Sequence, residues 1–122
     1  MVEQTQIRVL LVDDHAMVRR GLEAFLSDFD DLVIVGEASD GEAAIEICGR
    51  LQPDVVLMDL LLPGMDGATA TCEIRTRFPH IQVIALTGFR DEAMLLRTLQ
   101  ARAIGYLFKD IAACELVFRR WD

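Results

Sequence analysis

The stretch Val55-Val56-Leu57-Met58-Asp59-Leu60-Leu61-Leu62-Pro63-Gly64-Met65-Asp66-Gly67 decides the fold. Apolar residues in an unbroken run, without polar alternation, form a strand buried on both faces, as in parallel sheets covered by helices. Asp59 interrupts the run, and Pro63, Gly64 and Gly67 then break the chain into a loop. A carboxylate at the end of a buried strand is costly unless a cation, a hydrogen-bond donor or a proton accompanies it. An isolated aspartate in this place often only caps its loop. What Asp59 does therefore depends on the company the rest of the chain brings.

On the N-terminal side, Ile7 to Val12 reads as a first strand ending at Asp13-Asp14. Beyond His15, Val18, Leu22, Phe25 and Leu26 recur at helical spacing while Arg19, Arg20 and Glu23 face elsewhere. Leu32 to Ala38 reads as a second strand. Ser39-Asp40-Gly41-Glu42 has the form of a capping box, with Ser39 at the N-cap of a helix carrying Ala44, Ile45, Cys48 and Leu51 on one face. On the C-terminal side, Asp66 serves the turn before Gly67, and Ala68 to Arg77 reads as a helix. Ile81 to Leu86 is a fourth strand, followed by Thr87-Gly88. Asp91 to Ala101 is a fourth helix with a broad apolar set, of which Met94, Leu95 and Leu99 exceed what one buried face needs and offer a dimerisation surface. Gly105 to Phe108 is a short fifth strand before Lys109-Asp110. Cys114, Val117, Phe118 and Trp121 mark a last amphipathic helix. Five strands alternating with five helices make an α/β sheet, parallel because each crossover is helical.

The chain has 122 residues, enough for one domain that buries roughly two thirds of its unfolded surface. Its 52% apolar and 26% charged residues describe a folded chain, and a net charge of −8 disfavours direct binding to nucleic acid or anionic membrane. Cys48, Cys72 and Cys114 lie on helices among apolar neighbours and outside any Cys-x-x-Cys pair, which predicts buried free thiols and a reducing cytoplasm. The sequence carries no signal segment or membrane-length apolar run, consistent with a cytoplasmic location.

In an open parallel sheet, ligands gather outside the carboxyl ends of the strands. Those ends here carry Asp13-Asp14, Asp59, Thr87 and Lys109, whereas the second strand, ending in Glu37-Ala38, adds nothing comparable. Carboxylates about 4 Å apart repel by roughly 4 kcal/mol at an effective dielectric of about 20, so three of them invite a cation. An all-oxygen, open set suits Mg²⁺. A metal, an ammonium and a hydroxyl converging on one point suit a phosphoryl group, and the carboxylate left over can serve as its acceptor.

Four pieces, Val12-Asp13-Asp14-His15, Met58 to Gly67, Leu86-Thr87-Gly88 and Gly105 to Asp110, stand in order, each at a strand end. Together they resemble the receiver domain of a two-component response regulator, over about residues 7–120 of a single domain, 1–122. The resemblance implies a flavodoxin-like (βα)5 doubly wound sheet with five parallel strands in the order 2-1-3-4-5. It also implies that Asp59 accepts a phosphoryl group from a sensor histidine kinase. Asp14 and Asp59 would ligate Mg²⁺ (or Mn²⁺) directly, Asp13 largely through water, and Leu61 through its backbone carbonyl. Thr87 and Lys109 would bind phosphoryl oxygens, and Gly88 would leave room for them. Tyr106 would turn inward as Thr87 is drawn to the phosphate, re-facing the surface of the fourth helix, fifth strand and fifth helix. His15 would play a structural part at the helix start.

Many receivers follow the lysine with a cis proline; here Asp110 follows, so a cis bond is not expected. Lys-Asp together with Asp-Asp-His resembles the NarL/FixJ (LuxR-type) subgroup, whose members usually carry a C-terminal helix-turn-helix domain that binds DNA. That domain is absent from these residues, and the last helix is about a turn short, as in a receiver cut from a longer regulator; a naturally single-domain receiver is the competitor. Leu61 and Phe89, each two residues beyond a site residue, are apolar and should exclude a hydrolytic water, giving slow self-dephosphorylation rather than turnover catalysis. Two other classes bear on the same residues. A haloacid-dehalogenase-type hydrolase wants Asp-x-Asp after its first strand, which Asp13-Asp14-His15 does not supply. A degenerate receiver, acting only as an interaction module, would lack the acceptor or the lysine.

Overall fold

The computed structural model describes residues 6–87 and 92–108, with Thr87 and Tyr106 described by their backbone. The elements run β1 (Ile7–Val12), α1 (Ala16–Leu26), β2 (Leu32–Ala38), α2 (Gly41–Leu51), β3 (Val55–Asp59), α3 (Gly67–Arg77), β4 (Gln82–Thr87), α4 (Glu92–Gln100) and β5 (Gly105–Phe108). All neighbouring strands are parallel, in the order β2-β1-β3-β4-β5. The doubly wound sheet expected from the sequence is thus present. The expected fifth helix lies outside the described residues.

Alternation along the strands divides the core in two. Leu10, Val12, Val56, Met58 and Val83 face α2 and α3, where they pack with Ala44, Cys48, Ala70 and Ile74. Val9, Leu11, Val55, Leu57, Ile84 and Leu86 face the other way, with Leu22 and Leu26 of α1. All five residues of β3 are buried, as a run apolar on both faces requires. The pairing of β1 with β2 is regular from Ile7↔Leu32 to Val9↔Ile34, then skips Val35, so that Leu10 meets Gly36 and Leu11 meets Glu37. Gly36 suits its place: a Cβ there would stand 3.3 Å from Leu51 Cδ1 and 3.4 Å from Leu10 Cδ1.

Two details correct the sequence reading. The N-cap of α2 is Asp40, whose carboxylate accepts from Ala43 N at 2.7 Å. Ser39 stands one residue too early, because Gly41 already belongs to the first turn, and the expected capping box does not form. Cys48 is buried, but Cys72 is exposed, since the packed face of α3 runs through Ala70, Thr71 and Ile74; Cys114 lies outside the described residues. On α4, Leu99 is exposed, in keeping with its place in an apolar set broader than one buried face needs; Leu96 is exposed too, while Thr98 is buried, so the inward face includes a polar residue that hydrophobic periodicity overlooks. Met94 and Leu95 are not described beyond their backbone. Among the described residues no helix is long and apolar enough to cross a membrane.

Candidate functional site

The order β2-β1-β3 makes the gap between β1 and β3 a switch point, where successive crossovers leave in opposite directions and a crevice opens at the carboxyl ends. Asp13 follows β1, and Asp59 closes β3. Both are almost wholly buried, Asp13 at 1% and Asp59 at 2% exposure, while Asp14 and His15 sit at the rim. One carboxylate oxygen from each aspartate and a ring nitrogen of His15 lie within 4.8 Å of one another.

Local geometry holds each carboxylate. Asp13 Oδ1 accepts the backbone N–H of His15 at 2.8 Å, turning the chain sharply into α1. The His15 ring then stands between the acidic pair, with Nδ1 3.1 Å from Asp13 Oδ1 and 3.1 Å from Asp14 Oδ1. Asp59 Oδ1 accepts Leu61 N–H at 3.2 Å. The loop after β3 folds back so that Gly67 N–H donates to the Leu60 carbonyl at 3.1 Å. A Cβ at Gly67 would collide with the Asp59 carbonyl oxygen and lie 2.8 Å from Leu60 Cα, so only glycine permits this approach. Asp66 caps α3, accepting from Thr69 N at 2.8 Å, and meets Arg97 Nη2 of α4 at 3.3 Å. The Thr69 N–H, with Arg97 beside it, holds the Asp66 carboxyl below its usual range. Asp66 thus serves the turn, as its place before Gly67 suggested.

The sequence-expected residues come together as far as they are described. Asp59 pairs with Leu86, and Thr87 is the next residue of β4, so the Thr87 backbone reaches the same edge as Asp59. Leu61 places its amide at Asp59 and its side chain half in solvent, at 50% exposure. The Tyr106 backbone pairs with Ala85. Gly88, Phe89, Lys109 and Asp110 lie outside the described residues.

Three residues, His15, Arg19 and Glu37, take a larger part at this edge than their sequence positions suggest. His15 joins the acidic cluster by its ring as well as standing at the N-cap of α1. The sequence pattern turns Arg19 away from the core and gives Glu37, at the end of β2, no part in the site. Arg19 instead donates Nη1 to the Asp13 carbonyl and Nε to Glu37 Oε1 at 2.8 Å. A helical side chain covers the turn N-terminal to its own Cα, and that rule could have pointed Arg19 back over the loop it follows. The Glu23 hydrogen bond, followed by that from Arg19, holds the Glu37 carboxyl low, and the same Glu23–Glu37 contact raises Glu23.

Charges spaced as in this cluster repel by about 3–4 kcal/mol per pair at an effective dielectric of about 20. A divalent cation would relieve that repulsion, and carboxylates are the donors that hard cations prefer. The donor set therefore fits a metal ion.

The family model described as response regulator receiver domain matches residues 9–119. The transcriptional regulatory protein LiaR of Bacillus subtilis (strain 168) is 46% identical over 110 residues, which cover 90% of this chain and 52% of LiaR. The signal receiver domain of the putative response regulator NarL from Mycobacterium tuberculosis superposes with a TM-score of 0.88 at 36% identity, covering 93% of this chain and 92% of that one. A LuxR-family two-component response regulator from Aurantimonas sp. SI85-9A1 gives 0.87 at 34% identity, over 93% of this chain and 81% of that one. The chain spans about half the length of the curated relatives it matches. With a fold, a switch-point site and relatives that agree, this chain belongs to the response regulator receiver domains, of the NarL/FixJ type.

Proposed function

We propose that Asp59 is the phosphoacceptor of a two-component signalling pathway, taking its phosphoryl group from the phosphohistidine of a sensor histidine kinase. The observation that supports this most is the convergence of Asp13, Asp14, His15 and Asp59 at the carboxyl edge of the sheet, with Asp59 ending the fully buried central strand. In the transfer, a carboxylate oxygen of Asp59 attacks phosphorus as the P–N bond breaks. The electron pair stays on the departing imidazole nitrogen, which takes up a proton. Asp14 and Asp59 would hold Mg²⁺ directly, with Asp13 through water and the Leu61 carbonyl as a further ligand. Bound there, Mg²⁺ supplies positive charge to the phosphoryl oxygens and to the carboxylates around them. Thr87 and Lys109 bind the remaining phosphoryl oxygens.

Asp59 is buried, and Leu61 and Phe89, apolar residues two beyond Asp59 and Thr87, offer no polar group to orient a hydrolytic water, so the acyl phosphate would be long-lived and the protein would act stoichiometrically rather than by turnover. The switch would pass through Thr87 and Tyr106 to the face of α4, β5 and the fifth helix expected from the sequence. Its readout is a C-terminal DNA-binding domain in the cytoplasm, in keeping with LiaR, a transcriptional regulatory protein of which the matched residues make up 52%. Intact mass after treatment with acetyl phosphate and Mg²⁺ tests the reading. One added phosphoryl group, lost in Asp59→Asn, is the expected result; no addition, or addition that survives Asp59→Asn, overturns it.

A further inference from the structure

We propose that Arg19 is a positioning residue for the metal site, setting the Asp13–Asp14 peptide through a clamp anchored on Glu37. The proposal rests on the reading of Asp13, Asp14 and Asp59 as the Mg²⁺ ligands and goes beyond it, because neither Arg19 nor Glu37 is itself a ligand.

Among the described residues, Asp13 is held through its N–H, its carboxylate and its carbonyl. Its N–H donates to the Ala38 carbonyl at 3.1 Å, tying it to the end of β2. Its carboxylate takes the His15 N–H at 2.8 Å. Its carbonyl, the oxygen of the Asp13–Asp14 peptide, takes Nη1 of Arg19. That last contact fixes the rotation of the peptide plane and so the direction in which the Asp14 carboxylate leaves the chain. Asp14 sits on the rim, where its carboxylate meets the exposed His15 ring at 3.1 Å and lacks the burial that holds Asp13.

Arg19 can do this because its fork is itself anchored. Nε donates to Glu37 Oε1 at 2.8 Å, and the Arg19 side chain is only 19% exposed. Two donations from one rigid guanidinium link the end of β1 to β2, which a lysine ammonium on a flexible stem does not reproduce. Glu37 can accept because the skip at Val35 sets it beside Leu11, whose side chain faces α1.

Electrostatics and positioning predict opposite signs. A guanidinium beside a cation site repels the cation, so loss of its charge alone would tighten Mg²⁺ binding. Loss of the clamp frees the Asp14 peptide and weakens binding, by about tenfold on the scale usual for residues that orient metal ligands.

Calorimetric Mg²⁺ titration of the chain and of Arg19→Ala, Arg19→Lys, Glu37→Gln, Arg19→Ala/Glu37→Gln and Asp14→Asn tests the clamp, with Ile74→Val as a destabilised control. The expected result is Mg²⁺ affinity about tenfold lower in Arg19→Ala, clearly lower in Arg19→Lys and Glu37→Gln, no lower in the double variant than in Arg19→Ala, and unchanged in Ile74→Val. Unchanged or tighter binding by Arg19→Ala, or strictly additive losses in the double variant, overturns the clamp. Should Arg19→Ala melt below the assay temperature, Arg19→Lys and Glu37→Gln decide: weaker binding in both supports the clamp, and wild-type binding in either overturns it. Asp14→Asn separates the two claims, since Mg²⁺ binding that survives it overturns the ligand reading itself.

Discussion

At the scale of single residues, burial divides groups that sequence alone treats alike. Cys48 and Cys72 are both helical cysteines with apolar neighbours, yet burial pushes the Cys48 thiol up to about 12. Cys72 opens into a groove shared with Ala68, Thr69, Arg97 and Ala101. The thiolate is the reactive form, so a maleimide at neutral pH should label Cys72 within minutes and leave Cys48 unmodified until the chain unfolds. Peptide mapping by mass spectrometry checks this, and equal labelling of both in the folded chain would contradict it. The acidic residues were legible from sequence because a carboxylate at the end of a buried strand needs a reason to be there. Arg19, Glu37 and the ring of His15 were not, because each looks like an ordinary solvated side chain until the fold brings its partner.

At the scale of elements, the clearest sequence signals were those with a local cause. The strand bounds of β1, β2 and β3 follow from apolar runs, and α3 starts at Gly67, one residue before the expected Ala68. The cap of α2 moved by one residue because Ser39, Asp40 and Gly41 all suit a helix start and only backbone geometry chooses. The inward face of α4 was not legible, since its apolar residues surround the helix and the buried position went to Thr98. Asp66 joins two elements, capping α3 and meeting Arg97 of α4. Asp66→Ala should lower stability by about 1 kcal/mol, the usual cost of losing an N-cap aspartate. Because the folded carboxyl is held low, its contribution is fully present above its unfolded value of about 4 and fades as pH falls through the lower folded value. Chemical denaturation at pH 7 and pH 3 measures both effects, and the difference between native chain and variant should narrow at pH 3.

At the scale of the whole molecule, the sheet gathers like charges that the chain keeps far apart. In EDTA the repulsion among Asp13, Asp14 and Asp59 opposes folding, so Asp59→Asn should melt higher than the native chain. Mg²⁺ should reverse the order, stabilising the native chain by about 2.7 kcal/mol at a hundredfold excess over its dissociation constant while leaving the variant nearly unmoved. Thermal melts with and without Mg²⁺ read this directly. An Asp59→Asn variant that melts lower in EDTA would place the cost elsewhere. Parallel order and two-sided burial were legible from the alternation of strand and helix patterns. The pairing register of β1 with β2 was not, since it depends on which of two long apolar segments yields a residue.

That skipped residue carries a consequence for how the chain can change length. With Val35 set aside, Glu37 stands beside Leu11 and turns toward α1. Were Val35 deleted and regular pairing restored, Gly36 would follow Ile34 directly and keep its place opposite Leu10, and Glu37 would keep its place beside Leu11. Were the pairing instead regular with Val35 retained, Glu37 would fall beside Val12 and its carboxylate would enter the apolar layer under α2 and α3. The offset thus absorbs one extra residue: it lets β2 carry Val35 while Glu37 keeps the side of the sheet that faces α1.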